Sequence, residues 1–364
     1  MRAWCAQHPQ QNLVFSPSTL ATALGMAYLG ARGTTAQAMA RVLHLPAAGD
    51  GSLAAGLQAR SAALTRLAGP GVTLAASDQV WADPSLPPLR RYLDAVATGY
   101  AAGVAQAPFG TDPQRAADEI NQAISAATRG QIPKLVTPDM LSDVGWVLTA
   151  ALYLNAAWAR PFDPAQTQPG AFTLAGGRPV SVPFMNGAGF RFATVAGWSA
   201  VSLPYRGGKL TMTALLPPAG AGGCALPAPA ALRAIAGDLR GSQGSLDTAL
   251  VSLPRVSLRT DGLSGDMKPV LARLGMGVAF TGQADFTSLS PKACCLAFVR
   301  QAATLRVGEK GTVAAAAAAV GVTPTSAEVA PHRIVFDRPF LMLVSATSTG
   351  EPLFLAKVAD PAAG

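Results

Sequence analysis

The chain has 364 residues, of which 50% are hydrophobic and 13% are charged, and its formal net charge is +8. This length and composition allow one large hydrophobic core, and no low-complexity linker divides the chain, so we expect a single domain over residues 1–364. The basic residues are scattered and are not interleaved with aromatic residues in a dense cluster, which argues against a nucleic-acid or heparin site.

Three helices are predicted from composition and end signals. Small and apolar residues over Ser18–Ala31 predict a buried helix, with Ser18 or Thr19 as its N-terminal cap. A second, amphipathic helix is predicted over Thr34–Leu43 and a third over Pro113–Arg129. The third helix is expected to end at Gly130.

Strands are predicted where β-branched and aromatic residues lie between loops that carry glycine and proline. They cover Val72–Trp81, Trp146–Trp158, Leu210–Leu216, Ala249–Leu258 and Leu296–Val307. A final pair, Phe340–Thr347 and Pro352–Val358, is joined by a short loop with Gly350 where a positive φ is needed. Helices and strands are mixed rather than alternating, which favours an α+β fold with a large sheet that carries helices.

The sequence shows no sign of catalytic chemistry. Its three histidines, His8, His44 and His332, lack metal-ligand spacing, and the nucleophile-elbow and phosphate-loop patterns are absent. We therefore predict no enzyme activity, no catalytic residue, no metal site and no cofactor. A catalytic cluster assembled from distant residues is the alternative, and it would need polar groups that the sequence does not indicate.

The four cysteines form neither a metal-ligand pattern nor an evident disulfide framework. Cys294 and Cys295 are neighbours at the start of a predicted apolar strand, where buried free thiols are expected. No export signal is recognised, and the apolar runs are shorter than the roughly 18 residues that span a bilayer. We expect no membrane contact and, for the sequence as written, a cytoplasmic protein. A truncated start that had carried an export signal would place it outside the cell.

The most informative segment is Glu309–Ser326. It contains Gly311, six consecutive alanines at Ala314–Ala319, and Pro324 near its end. Alanine favours helices in isolation, and low complexity is the alternative explanation of such a run. A packed domain does not leave so featureless a span before a strand unless the span is an exposed loop.

Several segments together resemble the serpins, a family of protease inhibitors, nearly from end to end. In chain order they are Asn12–Pro17, Leu20–Thr35, Asn121–Val136, Leu154–Phe162, Asp337–Val344 and Pro352–Pro361. The resemblance implies a large central sheet with two further sheets, about eight or nine helices, and an exposed reactive-centre loop at about residues 309–331. It also implies a monomer with a short or truncated N-terminal helix. Abundant arginine, alanine, glycine and proline are typical of a GC-rich genome, so we expect a bacterial source.

The family pattern places the loop hinge on nine residues. They are Glu309, Lys310, Gly311, Thr312, Val313, Ala314, Ala315, Ala316 and Ala317. In a strand that inserts between two neighbours, alternate side chains point to opposite faces of the sheet. From Thr312 to Ala319 none of these side chains is charged or bulky, so the obstacle to insertion is low. Glycine at the pivot adds backbone freedom.

The resemblance also implies a mechanism and a cleavage site. Counting along the loop from Glu309 places the scissile bond at Thr325–Ser326, preceded by Val322, Thr323 and Pro324, with cleavage after Thr323 or Val322 as the alternative. A serine protease that attacks Thr325 would be trapped as a covalent acyl-enzyme when the loop inserts. Since Thr325 is small, elastase-like or subtilisin-like enzymes are the expected partners. The rival interpretation is a non-inhibitory serpin that acts as a binding or carrier protein.

Six further residues are assigned by resemblance to the sheet opening or the loop base: Ser16, Thr19, Ala150, Trp158, Arg255 and Gln301. Trp158 is expected near the top of the central sheet, or simply in the core. Arg255 is expected either to pair with Glu309 or to be solvated. The family commonly has asparagine and histidine where this chain has Ala150 and Gln301. The hydrogen-bond network there must therefore be rebuilt or absent.

Overall fold

The protein is described by a computed structural model covering residues 1–45, 52–100, 104–142, 144–241, 248–260, 266–312 and 332–363. Within these ranges the α-helices are α1 (Arg2–Cys5), α2 (Pro17–Gly30), α3 (Gly33–Leu43), α4 (Ser52–Thr65), α5 (Arg90–Tyr100), α6 (Pro113–Ala127), α7 (Pro138–Leu141), α8 (Pro229–Gly241) and α9 (Lys268–Leu271). In the described part of the chain, none of the helices is long and apolar enough to cross a membrane.

The start of α2 differs from the prediction. Ser16, not Ser18 or Thr19, is the cap, and its hydroxyl accepts a hydrogen bond from the Thr19 backbone N–H at 3.2 Å. Pro17 occupies the first helical position, where its missing N–H costs nothing and its fixed φ suits the helix. The proline therefore moves the helix start toward the N-terminus.

The strands are β1 (Leu13–Phe15), β2 (Val72–Ala82), β3 (Val104–Gln106), β4 (Trp146–Ala157), β5 (Gln168–Thr173), β6 (Pro179–Val195), β7 (Trp198–Pro204), β8 (Leu210–Leu216), β9 (Ala249–Pro254), β10 (Val256–Thr260), β11 (Val299–Gly308), β12 (Gly311–Thr312), β13 (His332–Val335), β14 (Phe340–Ala346) and β15 (Pro352–Val358). One six-stranded sheet has the order β10-β11-β12-β4-β2-β3. A second, nine-stranded sheet has the order β1-β15-β14-β8-β7-β6-β9-β13, and its ninth strand, β5, pairs with β6.

Strand β6 joins what are locally two sheets. Its first part pairs with β5 and β9, its last part pairs with β7, and the register shifts between Gly187 and Phe190. A central sheet with two further sheets is therefore present, as predicted. The predicted strand Ala249–Leu258 is wrong as one element, because the chain leaves β9 and enters β10 in the other sheet on either side of Arg255.

The six-stranded sheet is covered on both faces near the start of β4 and β11. On one face, Ile120 and Ile124 of α6 pack with Val147 of β4 and Ala302 of β11. On the opposite face, α2 contributes to a core that includes Leu148 and Val299. Because the side chains of a strand alternate between faces, the same short stretch of each strand is sealed by two helices.

The cysteines also depart from the prediction. Cys5 and Cys224 form a disulfide across 219 residues of sequence, with a Cα–Cα distance of 5.7 Å. Cys294 is exposed and Cys295 is half-buried, so they are not the buried thiols expected from the sequence. Strand β11 begins at Val299, a few residues after the pair, which leaves both cysteines in irregular chain.

Candidate functional site

The central feature of the six-stranded sheet is the line along which β4 and β11 meet, which we call the seam. Near their first residues, the foot of the seam, the two strands pair directly and in parallel, from Leu148 opposite Val299 to Leu152 opposite Ala303. At the opposite end, the top of the seam, β12 lies between them and pairs antiparallel with both. The seam is thus closed at the foot and already occupied at the top.

Thr312 is the second residue of β12 and is fully buried. It pairs with Ala156 on one side and with Val307 on the other. Its hydroxyl shares a 2.6 Å hydrogen bond with the phenol of Tyr205, whose pKa is raised by burial. The phenol is therefore neutral, and the first inserted side chain has its polar atom satisfied inside the core.

Gly311 is required by the close approach of β12 to β4. Its φ is +148°, a conformation that side chains rarely adopt. A Cβ at this position would overlap the Ala156 carbonyl oxygen and lie 2.8 Å from the Cα of Ala157. The pivot role of Gly311 stays a prediction; in this structure the glycine lets the backbones of β12 and β4 approach closely.

Trp158 follows β4 and contacts the chain on both sides of the turn before β12. Its indole N–H donates to the Gly308 carbonyl at 2.9 Å, and its backbone N–H donates to the Lys310 carbonyl at 3.0 Å. The ring stacks on Tyr205 with a centroid distance of 4.4 Å. Trp158 is 1% exposed. It is therefore both a core aromatic and a contact of the loop base, as the two interpretations of the sequence allowed.

Glu309 anchors the base of the loop through its carboxylate. The Arg255 guanidinium donates to Glu309 Oε1 from Nη2 at 2.6 Å and from Nε at 2.8 Å, and the Thr167 hydroxyl donates to the same oxygen at 2.6 Å. Burial by itself raises the pKa of Glu309, but the hydrogen bonds from Arg255 and Thr167 outweigh it and lower the pKa below its ordinary value. The ion pair proposed from the sequence is present.

Gln301 of β11 lies opposite Ala150 of β4, but its side chain is bonded elsewhere. Its Nε2 donates to the Ser16 carbonyl at 2.7 Å and to the Thr19 hydroxyl at 3.1 Å, and its Oε1 accepts from the Ser16 N–H at 3.2 Å. The side chain is 1% exposed. The predicted network is therefore rebuilt, and it joins β11 to the start of α2 rather than to β4.

The remaining residues assigned to the loop lie outside the described part of the chain. They are Val313, Ala314, Ala315, Ala316, Ala317, Val322, Thr323, Pro324, Thr325 and Ser326. Conversely, Tyr205 and Thr167 contact Thr312 and Glu309 but were not found from the sequence. Neither lies in a recognisable motif, and each is more than a hundred positions from its partner, so no local signal could have revealed them.

Comparison with known proteins identifies relatives over almost the whole chain. Residues 1–361 match the family described as "Serpin (serine protease inhibitor)". An uncharacterized serpin-like protein of Thermococcus kodakarensis is 31% identical over 97% of this chain and 82% of its own length. The leukocyte elastase inhibitor of Bos taurus is 28% identical over 97% of this chain and 94% of its own length.

Solved structures agree with the described architecture. Human thyroxine-binding globulin complexed with thyroxine superimposes with a TM-score of 0.84 at 25% identity, covering 99% of this chain and 95% of the globulin. A serpin of the insect Manduca sexta superimposes with a TM-score of 0.82 at 22% identity, covering 99% of this chain and 96% of the insect protein. The described sheets and helices therefore have the same arrangement as in these two solved structures.

Proposed function

Because the chain belongs to the serpin family, we propose that it is an inhibitory member that traps a serine protease as a covalent acyl-enzyme. The family is described as protease inhibitors and relatives carry inhibitor names, so the chain belongs to a family of inhibitors rather than enzymes. The observation that supports the finer proposal is the state of the seam: its top holds Gly311 and Thr312 between β4 and β11, and at its foot the two strands pair directly.

The register at the top of the seam defines where an inserting loop would go. Gly311 pairs with Ala157 and Thr312 with Ala156, so each further loop residue would meet the preceding residue of β4. Continued one for one, this register brings Val322 opposite Trp146, the first residue of β4. The loop from Gly311 to Val322 therefore has the length of the 12-residue strand it would pair with.

This length explains how a bound protease would be carried across the molecule. A strand rises by about 3.3 Å per residue, so insertion along β4 moves the cleaved end of the loop by about 40 Å. The acyl-enzyme on the Thr325 carbonyl would follow it to the foot of the seam. Distortion of the protease then stalls hydrolysis, since the loss of one oxyanion donor alone slows such enzymes by ~10²–10³.

Opening the foot of the seam would leave the hydrogen bonds of the buried Gln301 amide intact. Gln301 and its partner Ala150 share no side-chain hydrogen bond, because alanine has no polar side-chain atom and the Gln301 amide is bonded to Ser16 and Thr19. Strand β11 would stay attached to α2 while β4 separates from it. Continued in this register, the inserting Ala318 would lie between Gln301 and Ala150.

The expected target is an elastase-like or subtilisin-like protease. Thr325 is small and β-branched, which suits a shallow specificity pocket better than the deep acidic pocket that takes arginine or lysine. The similarity to an elastase inhibitor supports the same class. Cleavage after Thr323 or Val322 would present a small residue as well.

One observation supports the alternative that this chain is a non-inhibitory binding or carrier protein. Thyroxine-binding globulin, one of the solved structures that this chain resembles, is complexed with thyroxine. A carrier does not need a loop that inserts freely, however, and the segment from Thr312 to Ala319 is free of charged and bulky residues. The inhibitory proposal accounts for this composition directly.

The test is incubation of the purified chain with pancreatic elastase, followed by denaturing gel electrophoresis. An inhibitor gives a band at the summed mass that survives denaturation, and mass spectrometry locates the cut within residues 322–326. The cleaved, uncomplexed fraction should unfold at a markedly higher temperature than the intact chain. Cleavage without a stable complex and without a rise in the unfolding temperature would contradict the proposal and favour the carrier.

A further inference from the structure

Two cysteine pairs in this chain have different geometry. Cys5 and Cys224 are bonded, whereas Cys294 and Cys295 are neighbours in sequence with free thiols. The Sγ atoms of Cys294 and Cys295 are 2.9 Å apart. In an extended chain, neighbouring side chains point to opposite faces, so adjacency alone does not bring two thiols together. We propose that Cys294 and Cys295 form a vicinal dithiol that small-molecule disulfides oxidise to an intramolecular disulfide.

The backbone on either side keeps the two sulfurs together. The Ala293 N–H donates to the Ser290 carbonyl at 3.0 Å, and the Leu296 N–H donates to the Ala279 carbonyl at 2.9 Å. The first bond closes a local turn before the pair, and the second ties the residue after the pair to a segment 17 positions earlier in the chain. Holding two reacting groups in contact converts their reaction into an intramolecular step, which raises its rate strongly.

The two thiols have different surroundings, and this gives them different roles. Cys294 is exposed and meets a dissolved reagent first. Cys295 is half-buried, and burial, followed by its hydrogen bond to Cys294, raises its pKa to about 11. Cys295 therefore keeps its proton at neutral pH until Cys294 has reacted. Cys294 acts as the attacking sulfur and Cys295 as the resolving one.

The reaction balances with one disulfide reagent. The Cys294 thiolate attacks one reagent sulfur, which forms a mixed disulfide and releases one reagent thiolate. Cys295 then gives its proton to solvent and attacks the Cys294 sulfur, which closes the Cys294–Cys295 bond and expels the second reagent thiolate. The protein loses two electrons and two protons, and the reagent gains both as a pair of thiols.

The position of the pair places this chemistry at the foot of the seam. The chain passes from Cys295 into β11 at Val299, and the Val299 carbonyl accepts a hydrogen bond from the Met267 N–H at 2.9 Å. Ala297 lies between Cys295 and Val299 in the sequence, and its carbonyl accepts a hydrogen bond from the Lys268 ammonium at 3.2 Å. A ring at Cys294 and Cys295 would thus form beside the strand that borders the inserting loop.

The experiment uses the intact chain and 4,4′-dithiodipyridine, a disulfide that releases a coloured thione. Trypsin cuts after Lys292 and after Arg300, so residues 293–300 carry both cysteines in one peptide. The proposal expects this peptide to lose the mass of one hydrogen molecule and to retain no pyridyl group. The measurement does not depend on protease trapping, so it stands or fails separately from the proposed function.

Two single variants serve as controls. Cys295→Ser should keep a pyridyl group on Cys294 because no resolving thiol is present, and Cys294→Ser should react several-fold more slowly because the remaining thiol is half-buried. A wild-type peptide that carries two pyridyl groups would overturn the proposal, since it would show two independent thiols. Persistence of both free thiols in excess reagent would overturn it as well.

Discussion

The top and the foot of the seam are built from the same two strands but are held in different ways. At the top, side chains fasten the loop base: Thr312 to Tyr205, Trp158 to Gly308, and Glu309 to Arg255. At the foot, β4 and β11 are joined by backbone pairing over Val299–Ala303, and the buried amide of Gln301 turns away to α2. Side-chain hydrogen bonds therefore hold the segment before and within β12 at the top, whereas the Gln301 amide at the foot secures β11 to α2 and not to β4.

This difference fits the proposed insertion, in which the seam opens from its top toward its foot. If a strand inserts at the foot, the backbone hydrogen bonds between β4 and β11 are lost. The inserted strand then forms backbone hydrogen bonds with β4 on one side and with β11 on the other. Side-chain contacts across the foot would have no such replacement. Substitutions at the two ends of the seam should therefore have different effects, with those at the top changing loop insertion and those at the foot changing the stability of the intact fold.

The largest effect is expected for Thr312→Arg. Thr312 is fully buried between two strands and against Tyr205, so an arginine there would leave a charge in the core at a cost of several kcal/mol, ~3–5 by analogy with unpaired buried ions. The loop should be expelled, remain cleavable and turn the protein into a substrate, which gel analysis of the protease mixture would show as cleavage without complex.

Thr312→Val is the matched control for this substitution. It keeps the shape and removes only the hydrogen bond to Tyr205, a loss of about 0.5–1.5 kcal/mol. Trapping should be retained. If Thr312→Arg also retains full trapping, insertion at the top of the seam is not part of the mechanism.

Gly311→Ala should disturb the top of the seam without adding charge. Its Cβ would overlap the Ala156 carbonyl oxygen, and its φ of +148° would add strain of about 1–3 kcal/mol. We expect β12 to leave the seam, seen as a change in tryptophan fluorescence from the ring of Trp158. Gly308→Ala is the control, because a Cβ there meets nothing within 4 Å. Equal spectra for both variants would refute the close-approach explanation.

Gln301→Ala should act at the foot. It removes the partner of the Ser16 N–H and carbonyl and of the Thr19 hydroxyl, which leaves buried polar atoms unpaired at a cost of about 1–3 kcal/mol. The urea midpoint of the intact protein should fall. Thr19→Val, which removes one of the three hydrogen bonds, should give a smaller decrease. A midpoint unchanged in Gln301→Ala would mean that this network does not secure β11.

The smallest effect is expected for Arg255→Glu. The guanidinium is 49% exposed, and pairs of this kind contribute about 0.2–1 kcal/mol. Because the pKa of Glu309 is lowered in the folded state, the contribution is present above the ordinary carboxylate pKa and is lost as the pH falls through the folded value. The stability difference from wild type should therefore shrink in acid, as thermal unfolding at pH 7 and pH 3 would show. The double variant with Glu309→Arg should recover part of the loss.

The strands that the sequence predicted correctly are those that short-range residue patterns define. Patterns of β-branched residues located β4, β8 and the β14–β15 hairpin, because these strands are long and their turns carry glycine or proline. Ordered motifs indicated the family. The boundary between β9 and β10 was missed, because both halves alternate in the same way and only the tertiary structure sends them to different sheets. The Cys5–Cys224 bond was missed for a related reason, since 219 residues separate its ends.

The sequence by itself determined the class of fold, the inhibitor family and a segment composed of small residues, because these depend on patterns read along the chain. Only the tertiary structure decided that Gly311 and Thr312 already lie in the sheet, that Tyr205 receives Thr312, and that Gln301 bonds to α2 rather than across the seam. These contacts join residues far apart in sequence, and their geometry depends on how the sheet and its covering helices pack.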